Sequence, residues 1–173
     1  QPTVDKTTPK RLNVAPSQSW QPSAATSLTL LGEYIKDKSG EDPYYFAKDY
    51  KLTDVKMGDP GFSRIKREQA SIGYQFEHRF NDAWTFRQNF RYSHLSLDRR
   101  AVWTDEINED VTAITRVART WDDPMSQSVL DTQMLGKLRL AGAEHTVVFG
   151  VDWNDQDAKG NRLIGPPPRH GLV

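Results

Sequence analysis

Apolar and polar residues alternate along several stretches of the chain, and the clearest of these stretches runs from Gln69 to Phe80. Every second residue there is alanine, isoleucine, aromatic or histidine, and the residues between them are polar, charged or glycine. Because successive side chains of a strand point to opposite faces, a period of two over twelve residues predicts a β-strand. A helix cannot place either set on one side. We therefore expect a strand with one apolar and one polar face.

The same alternation predicts two hairpins. It resumes at Trp84 after the turn residues Asn81-Asp82-Ala83, and this short connection makes the first hairpin. The second hairpin has its turn at residues 141–144. Weaker alternation near the start of the chain adds two more strands. The sequence thus predicts six strands, near 12–20, 27–36, 64–80, 84–97, 128–140 and 145–154.

The connections between these strands are short and long in turn. Two of them, 37–63 and 98–127, are long, whereas the others span only a few residues. Compact soluble domains seldom contain two loops of that size. Outer-membrane barrels combine tight periplasmic turns with long extracellular loops. The expected fold class is therefore all-β: an antiparallel meander of about six strands, part of a larger transmembrane β-barrel, with two long extracellular loops.

Alternation alone leaves open which face meets lipid. In a soluble barrel or sandwich the apolar face packs inward, whereas in an outer-membrane barrel it meets lipid and the polar face lines the lumen. Phe80 and Trp84 flank a tight turn, where an aromatic girdle would lie. This placement favours the membrane barrel, in which four charged residues of the polar face are expected to pair across strands: Glu77, Arg79, Arg87 and Arg91. A soluble ligand-binding module is the alternative.

Composition excludes several other classes of protein. The chain has 173 residues, with 23 basic and 23 acidic side chains, and this balance argues against a nucleic-acid binder. It has no cysteine, which excludes disulfides, thiolate metal sites and a cysteine nucleophile. No apolar run approaches the roughly 18 residues that a membrane helix needs. Serine, histidine and aspartate occur without a nucleophile-elbow motif, so an enzyme is not expected.

Three stretches of the chain resemble the barrel of TonB-dependent ferric siderophore receptors, most closely the ferrichrome and hydroxamate type. They occur in the order and at the spacing of that family and cover most of residues 11–154. The first contains SWQP at 19–22 and TSLTLLG at 26–32; the second contains ASIGYQFEHRFND at 70–82 and WTFRQN at 84–89; the third contains DTQ at 131–133 and EHTVVFGVD at 144–152.

The resemblance implies a location and a set of partners. Such receptors have an N-terminal plug inside a barrel of about 22 strands, a size that six strands cannot close. Residues 1–154 would be part of that barrel, and 155–173 a truncated loop or an unrelated tail. The expected location is the outer membrane of a Gram-negative bacterium. The expected partners are a ferric siderophore, outer-membrane lipid, and the TonB complex acting through a plug that this chain does not contain.

The resemblance also implies a binding site made of aromatic side chains. Tyr44, Tyr45 and Phe46 in the first long loop resemble the family's aromatic cluster, and Trp103 in the second loop is a further candidate. These aromatic residues could instead only pack the loops against each other. No cofactor or protein-bound metal is expected, because the siderophore already fills the coordination shell of the iron. Another outer-membrane barrel, a porin-like channel or a receptor for a different cargo, is a further alternative.

Overall fold

The computed structural model describes residues 9–40, 45–48, 50–56, 58–59, 61–107 and 114–166. Within these ranges the chain is made of strands, with no helix that could cross a membrane. The strands of the described ranges are β1 (Lys10–Val14), β2 (Ser17–Ser23), β3 (Thr26–Ser39), β4 (Tyr45–Lys48), β5 (Lys51–Lys56), β6 (Arg64–Arg79), β7 (Trp84–Ile107), β8 (Ile114–Asp122), β9 (Met125–Leu140), β10 (Ala143–Ala158) and β11 (Asn161–Gly165).

Nine of these strands form one antiparallel sheet, and β4 and β5 form a separate hairpin. In several places, two strands that follow each other in the sequence are two parts of one long strand. The pairs Leu95↔Met125 and Asp98↔Asp122 belong to one register, so β9 continues the alignment of β8 along β7. Pro124 lies at the break, because proline has no N–H to donate to the ladder.

The same continuity joins β10 to β11 and β1 to β2. The pairs of β10 with β9 and of β11 with β8 keep one register across Lys159 and Gly160. Between β1 and β2, the Pro16 carbonyl accepts a hydrogen bond from the Gly32 N–H at 2.9 Å. The large sheet is therefore a meander of six lengths in chain order: β1–β2, β3, β6, β7, β8–β9 and β10–β11. The predicted all-β class and antiparallel meander are confirmed.

Several predicted strand ends are wrong. The second expected long loop, 98–127, is mostly a hairpin, because β7 continues to Ile107 and β8 returns from Ile114. The first, 37–63, contains the end of β3 and the β4–β5 hairpin. At the other end of the chain, β10 extends past 154 to Ala158, and β11 follows it. The role of 155–173 stays a prediction, although its first part is paired strand.

Tight turns join the strands at one end of the sheet. The longer connections lie at the opposite end of the strands, which we call the loop edge. Asn81 holds the turn between β6 and β7, where its Oδ1 accepts hydrogen bonds from the N–H groups of Ala83 and Trp84 at 2.8 and 2.9 Å. The turn between β9 and β10 has two residues rather than the four expected. Ala141 and Gly142 have φ of 50° and 83°, as a type I′ hairpin turn requires.

The register sorts the side chains onto an apolar and a polar face. One row across the sheet joins five apolar residues: Leu30, Tyr74, Phe90, Leu130 and Trp153. The next row joins polar residues on the other face: Thr29, Gln75, Asn89, Asp131 and Asp152. Leu30 and Trp153 are 52% and 50% exposed, so no second layer of the described chain covers the apolar face here.

Candidate functional site

Two tryptophans and two arginines meet on the polar face near the loop edge. Arg99 and Trp103 come from β7, and Arg119 and Trp121 come from β8. Arg99 is opposite Trp121, and the β7–β8 register stays regular from there to Trp103. Since alternate residues of a strand share a face, all four side chains lie on one face. We call these four residues the Trp–Arg cluster.

The side chains of this cluster interleave. The two indole rings lie with centroids 5.5 Å apart at an interplanar angle of 48°. The Arg99 guanidinium carbon lies 5.0 Å from the Trp121 ring centroid and 5.7 Å from the Trp103 ring centroid. The Arg119 guanidinium carbon lies 4.9 Å from the Trp103 ring centroid. Each of these distances falls within the range of about 6 Å in which a cation is attracted to a ring face.

The residues that lie between and behind the side chains of the Trp–Arg cluster are small and buried. Ala101, which lies between Arg99 and Trp103 on the same face, has no exposed surface. On the other face Val102 and Ala118, a cross-strand pair, are 2% and 8% exposed. Because packed side chains and a continuous ladder restrict motion, this part of the sheet is a firm platform for the rings.

Trp103 and Arg119 each have a donor group with no hydrogen-bond partner among the described residues. These groups are the indole Nε1 of Trp103 and the Nε of Arg119, and both atoms are shielded from solvent. A shielded donor without an acceptor costs free energy. Because both atoms are shielded, an acceptor on a ligand reaches them only when the neighbouring side chains move.

Positive charge dominates this part of the polar face. The three rows from Arg99↔Trp121 to Trp103↔Val117, extended through β11, carry three arginines and no carboxylate. The third arginine is Arg162, which is exposed and lies opposite Trp121. Two carboxylates flank these rows on the same face: Asp123 lies one row below, where its N–H donates to the Leu97 carbonyl at 3.0 Å, and Glu106 lies one row above, opposite Thr115. The arrangement suits acceptor-rich or anionic groups.

The structure describes some of the predicted site residues fully and others only in part or not at all. Trp103 lies in the cluster, on a strand rather than in the loop that the sequence predicted. Tyr44 is outside the described residues, and for Tyr45 and Phe46 the backbone of β4 is described but the side chains are not. Their approach to Trp103 stays a prediction. Sequence reasoning missed Trp121 and both arginines, because only the cross-strand register brings them to Trp103.

The polar face closer to the tight turns carries a hydrogen-bonded network. The Arg87 Nε donates to Glu77 Oε2 at 2.6 Å, which confirms cross-strand pairing for two of the four residues expected to pair. Asp131 accepts hydrogen bonds from the amide groups of Asn89 and Gln133, each at 3.1 Å. In the part of the chain that the structure describes, no group of three or more histidine, aspartate or glutamate residues could hold a metal ion.

An ion-paired aspartate lies on the apolar-face side of the same hairpin, in the charged rows beyond the apolar ones. Asp98 Oδ2 accepts a hydrogen bond from Arg64 Nη2 at 2.8 Å, and Asp98 Oδ1 lies 3.5 Å from Arg100 Nε. Partial burial raises the pKa of Asp98, but the hydrogen bond and charge of Arg64 outweigh it and lower the pKa below its ordinary value. The pair ties β6 to β7 directly beneath the Trp–Arg cluster.

Comparison with known proteins identifies the family. The family model described as "TonB dependent receptor-like, beta-barrel" matches residues 15–170. The chain belongs to this family. Barrels of TonB-dependent receptors lie in the outer membrane of Gram-negative bacteria, which confirms the expected location and the resemblance. The family consists of receptors and transporters rather than enzymes.

Individual relatives of this TonB-dependent receptor segment are siderophore receptors. The ferrioxamine receptor of Yersinia enterocolitica is 33% identical over 150 residues, which cover 83% of this chain and 21% of that receptor. The ferrichrome outer membrane transporter/phage receptor of Escherichia coli K12 is 25% identical over an alignment of 173 positions, gaps included. The alignment covers 83% of this chain and 23% of that protein. This chain therefore spans about a fifth of the length of these relatives.

A solved structure shows the same fold. The ferripyoverdine receptor of the outer membrane of Pseudomonas aeruginosa, bound to ferripyoverdine, matches with a TM-score of 0.77 and 18% identity. The match covers 92% of this chain and 22% of that receptor. The meander is thus the fold of one part of a larger receptor barrel.

Proposed function

We propose that this chain forms part of the wall of an outer-membrane receptor that takes up a ferric siderophore of the hydroxamate type. Uptake would depend on the TonB complex acting through a plug. The observation that carries the proposal is the Trp–Arg cluster, which lies on the polar face of a receptor-family barrel and near its loop edge. The names of the ferrioxamine and ferrichrome relatives support the class of ligand.

The chemistry of the cluster suits such a ligand. A ferric hydroxamate is compact and presents methylene groups and carbonyl oxygens. Indole rings provide flat apolar area and an N–H donor at a low cost in conformational entropy. Trp103 offers the ring, and its shielded Nε1, which has no partner in the described chain, becomes available as a donor when the neighbouring side chains move. Three aromatic residues of the first expected long loop, 37–63, would complete the site: Tyr44, Tyr45 and Phe46. No protein ligand to the iron is needed, since the siderophore surrounds it.

The two faces of the sheet take on different surroundings in this proposal. The apolar face would meet lipid, which explains why residues such as Ile72 and Phe149 are 65% and 63% exposed. Phe80 beside the tight turn, 59% exposed, would lie in the aromatic girdle at the membrane interface. The polar face, with Glu77 paired to Arg87, would line the lumen around the plug.

Uptake of radioactive iron tests the proposal. The protein is expressed from its complete reading frame in a Gram-negative host that lacks its own hydroxamate receptors, and a ferric trihydroxamate labelled with radioactive iron is supplied. We expect accumulation of iron that stops when TonB is deleted. Accumulation without TonB would instead indicate a porin-like channel. A monomer recovered in the soluble fraction would favour the soluble ligand-binding module.

A further inference from the structure

We infer that the Trp–Arg cluster selects its ligand by charge, favouring a ferric chelate with an anionic pendant group over one with a cationic group. The pendant group is a carboxylate or a similar oxyanion attached outside the iron-binding part. This inference rests on the proposed function, because it concerns the same site. It adds a substrate preference that the relatives' names do not supply.

The first argument is the balance of charge around the rings. Arg99, Arg119 and Arg162 share three rows of the polar face that carry no carboxylate; Asp123 lies one row below, and Glu106, opposite Thr115, lies one row above, so the arginines outnumber the nearby carboxylates. Arg119 forms no ion pair within the described ranges. Guanidinium groups stay protonated at every pH at which the protein is folded. A ligand on the platform therefore meets a positive field, which a lumen with low-dielectric walls focuses.

The second argument is the way the guanidinium groups are held. The Arg119 guanidinium carbon lies 4.9 Å from the Trp103 ring centroid, and the planar guanidinium carries five N–H donors. A carboxylate binds guanidinium in that plane, often through two parallel hydrogen bonds. The ring contact also orders a long side chain before the ligand arrives, which reduces the entropy lost on binding.

A purely structural role for the arginines predicts something different. Cation–π contacts could simply fasten β7 to β8, and the ligand would then meet the rings alone. However, a ring quadrupole attracts a cation without neutralising it. The arginines therefore keep their positive charge while they hold the strands together, and a dependence of affinity on ligand charge separates ligand selection from a role that only fastens β7 to β8.

Three ferric complexes of one linear trihydroxamate test the inference. Its terminal amine is left free, acetylated or succinylated, which gives a cationic, a neutral and an anionic probe with the same iron core. Binding is measured by quenching of tryptophan fluorescence, on the receptor expressed from its complete reading frame and purified in detergent. We expect the anionic probe to bind about tenfold more tightly than the cationic one, with the neutral probe between them. A higher salt concentration should reduce this difference in affinity, because salt screens the charges.

The pattern of binding shows whether the inference alone fails or the proposed function fails with it. Equal affinities, or a preference for the cationic probe, would overturn the charge selection and leave the receptor proposal standing. Failure of all three probes to bind would overturn both, because the inference needs a hydroxamate site. A preference for the anionic probe that does not change at high salt concentration would also contradict the inference, because such a preference would reflect the shape of the probe rather than its charge.

A matched pair of variants locates the effect. Arg119→Gln removes one charge from the polar face, and Arg116→Gln removes one from the opposite face of the same strand. We expect Arg119→Gln to weaken binding of the anionic probe about fivefold and to change binding of the neutral probe less than about twofold. Arg116→Gln should change neither. Equal losses for all three probes in Arg119→Gln, or equal effects of both variants, would overturn the inference.

Discussion

The Arg119 guanidinium carbon lies 4.9 Å from the centre of the Trp103 ring, although neither residue is the other's cross-strand partner. Arg119 is opposite Ala101, and Trp103 is opposite Val117. The contact is therefore diagonal, and the small, fully buried Ala101 leaves room for it. Diagonal neighbours on one face of a sheet are within reach of aromatic and long side chains. This contact joins two rows into one platform.

Removing the ring at the centre of this platform should weaken ligand binding. We expect Trp103→Ala to lower the affinity for a ferric trihydroxamate at least about tenfold, because a buried aromatic anchor contributes about 2 kcal/mol or more to an interface. The matched control is Trp153→Ala, which removes an equal ring from the apolar face. Equilibrium binding of the complex labelled with radioactive iron checks both. Equal loss in the two variants would show that stability, not contact, is affected.

Sequence alternation predicts this fold only where the two faces of the sheet differ. In the rows around Tyr74 one face is apolar and the other polar, and the strands there are predicted to within a few residues. Beyond Leu97 the chain reads Asp98-Arg99-Arg100, with charge on both faces, so the period-two signal disappears although the strand continues. The charged hairpin therefore reads as a loop in the sequence.

The site was only partly predictable for a related reason. Trp103 is found through a family resemblance, whereas Trp121 gives no signal of its own. Its closeness to Trp103 depends on the β7–β8 register, which is set by a hairpin that the sequence does not reveal. The positive charge of this face is hidden in the same way, because the whole chain has equal numbers of acidic and basic residues.

The Asp98–Arg64 pair makes stability depend on pH in a predictable direction. Because the folded-state pKa of Asp98 is lowered, the pair contributes stability above the ordinary aspartate pKa of about 3.9. This contribution is lost as the pH falls through the lower folded-state pKa. Asp98→Asn should therefore destabilise the protein at pH 7 by at most about 1 kcal/mol, since both side chains are about a third exposed. Denaturant unfolding at several pH values measures the difference.

The control for this prediction is Asp152→Asn, which changes a carboxylate with no ion-pair partner in the described part of the chain. The gap between wild type and Asp98→Asn should close as the pH approaches the folded-state pKa. A gap that widens on acidification would mean that the aspartate is better accommodated in its protonated form.

A close approach of two strands makes Gly73 sensitive to substitution. A Cβ at this position would collide with the Phe90 carbonyl oxygen and lie 3.3 Å from the Arg91 Cα, and both are backbone atoms of the neighbouring strand. Gly73→Ala should therefore distort the β6–β7 ladder and destabilise the fold by about 1–3 kcal/mol. Urea unfolding in detergent measures the loss. Gly150→Ala is the control, since its nearest atom would be at an ordinary 3.4 Å. Similar losses in both would refute the steric explanation.

The turn between β9 and β10 contains an unfavourable residue that a substitution should relieve. Ala141 has φ of 50°, in the left-handed region, where its Cβ crowds the following carbonyl oxygen. Asn tolerates this region, and Ala141→Asn would create an Asn-Gly pair with Gly142, the sequence most typical of type I′ hairpins. We expect a gain of roughly 0.5–1 kcal/mol in the free energy of unfolding. Ala143→Asn, in the adjoining strand, should bring no gain, and an equal gain there would mean that added polarity rather than turn geometry is responsible.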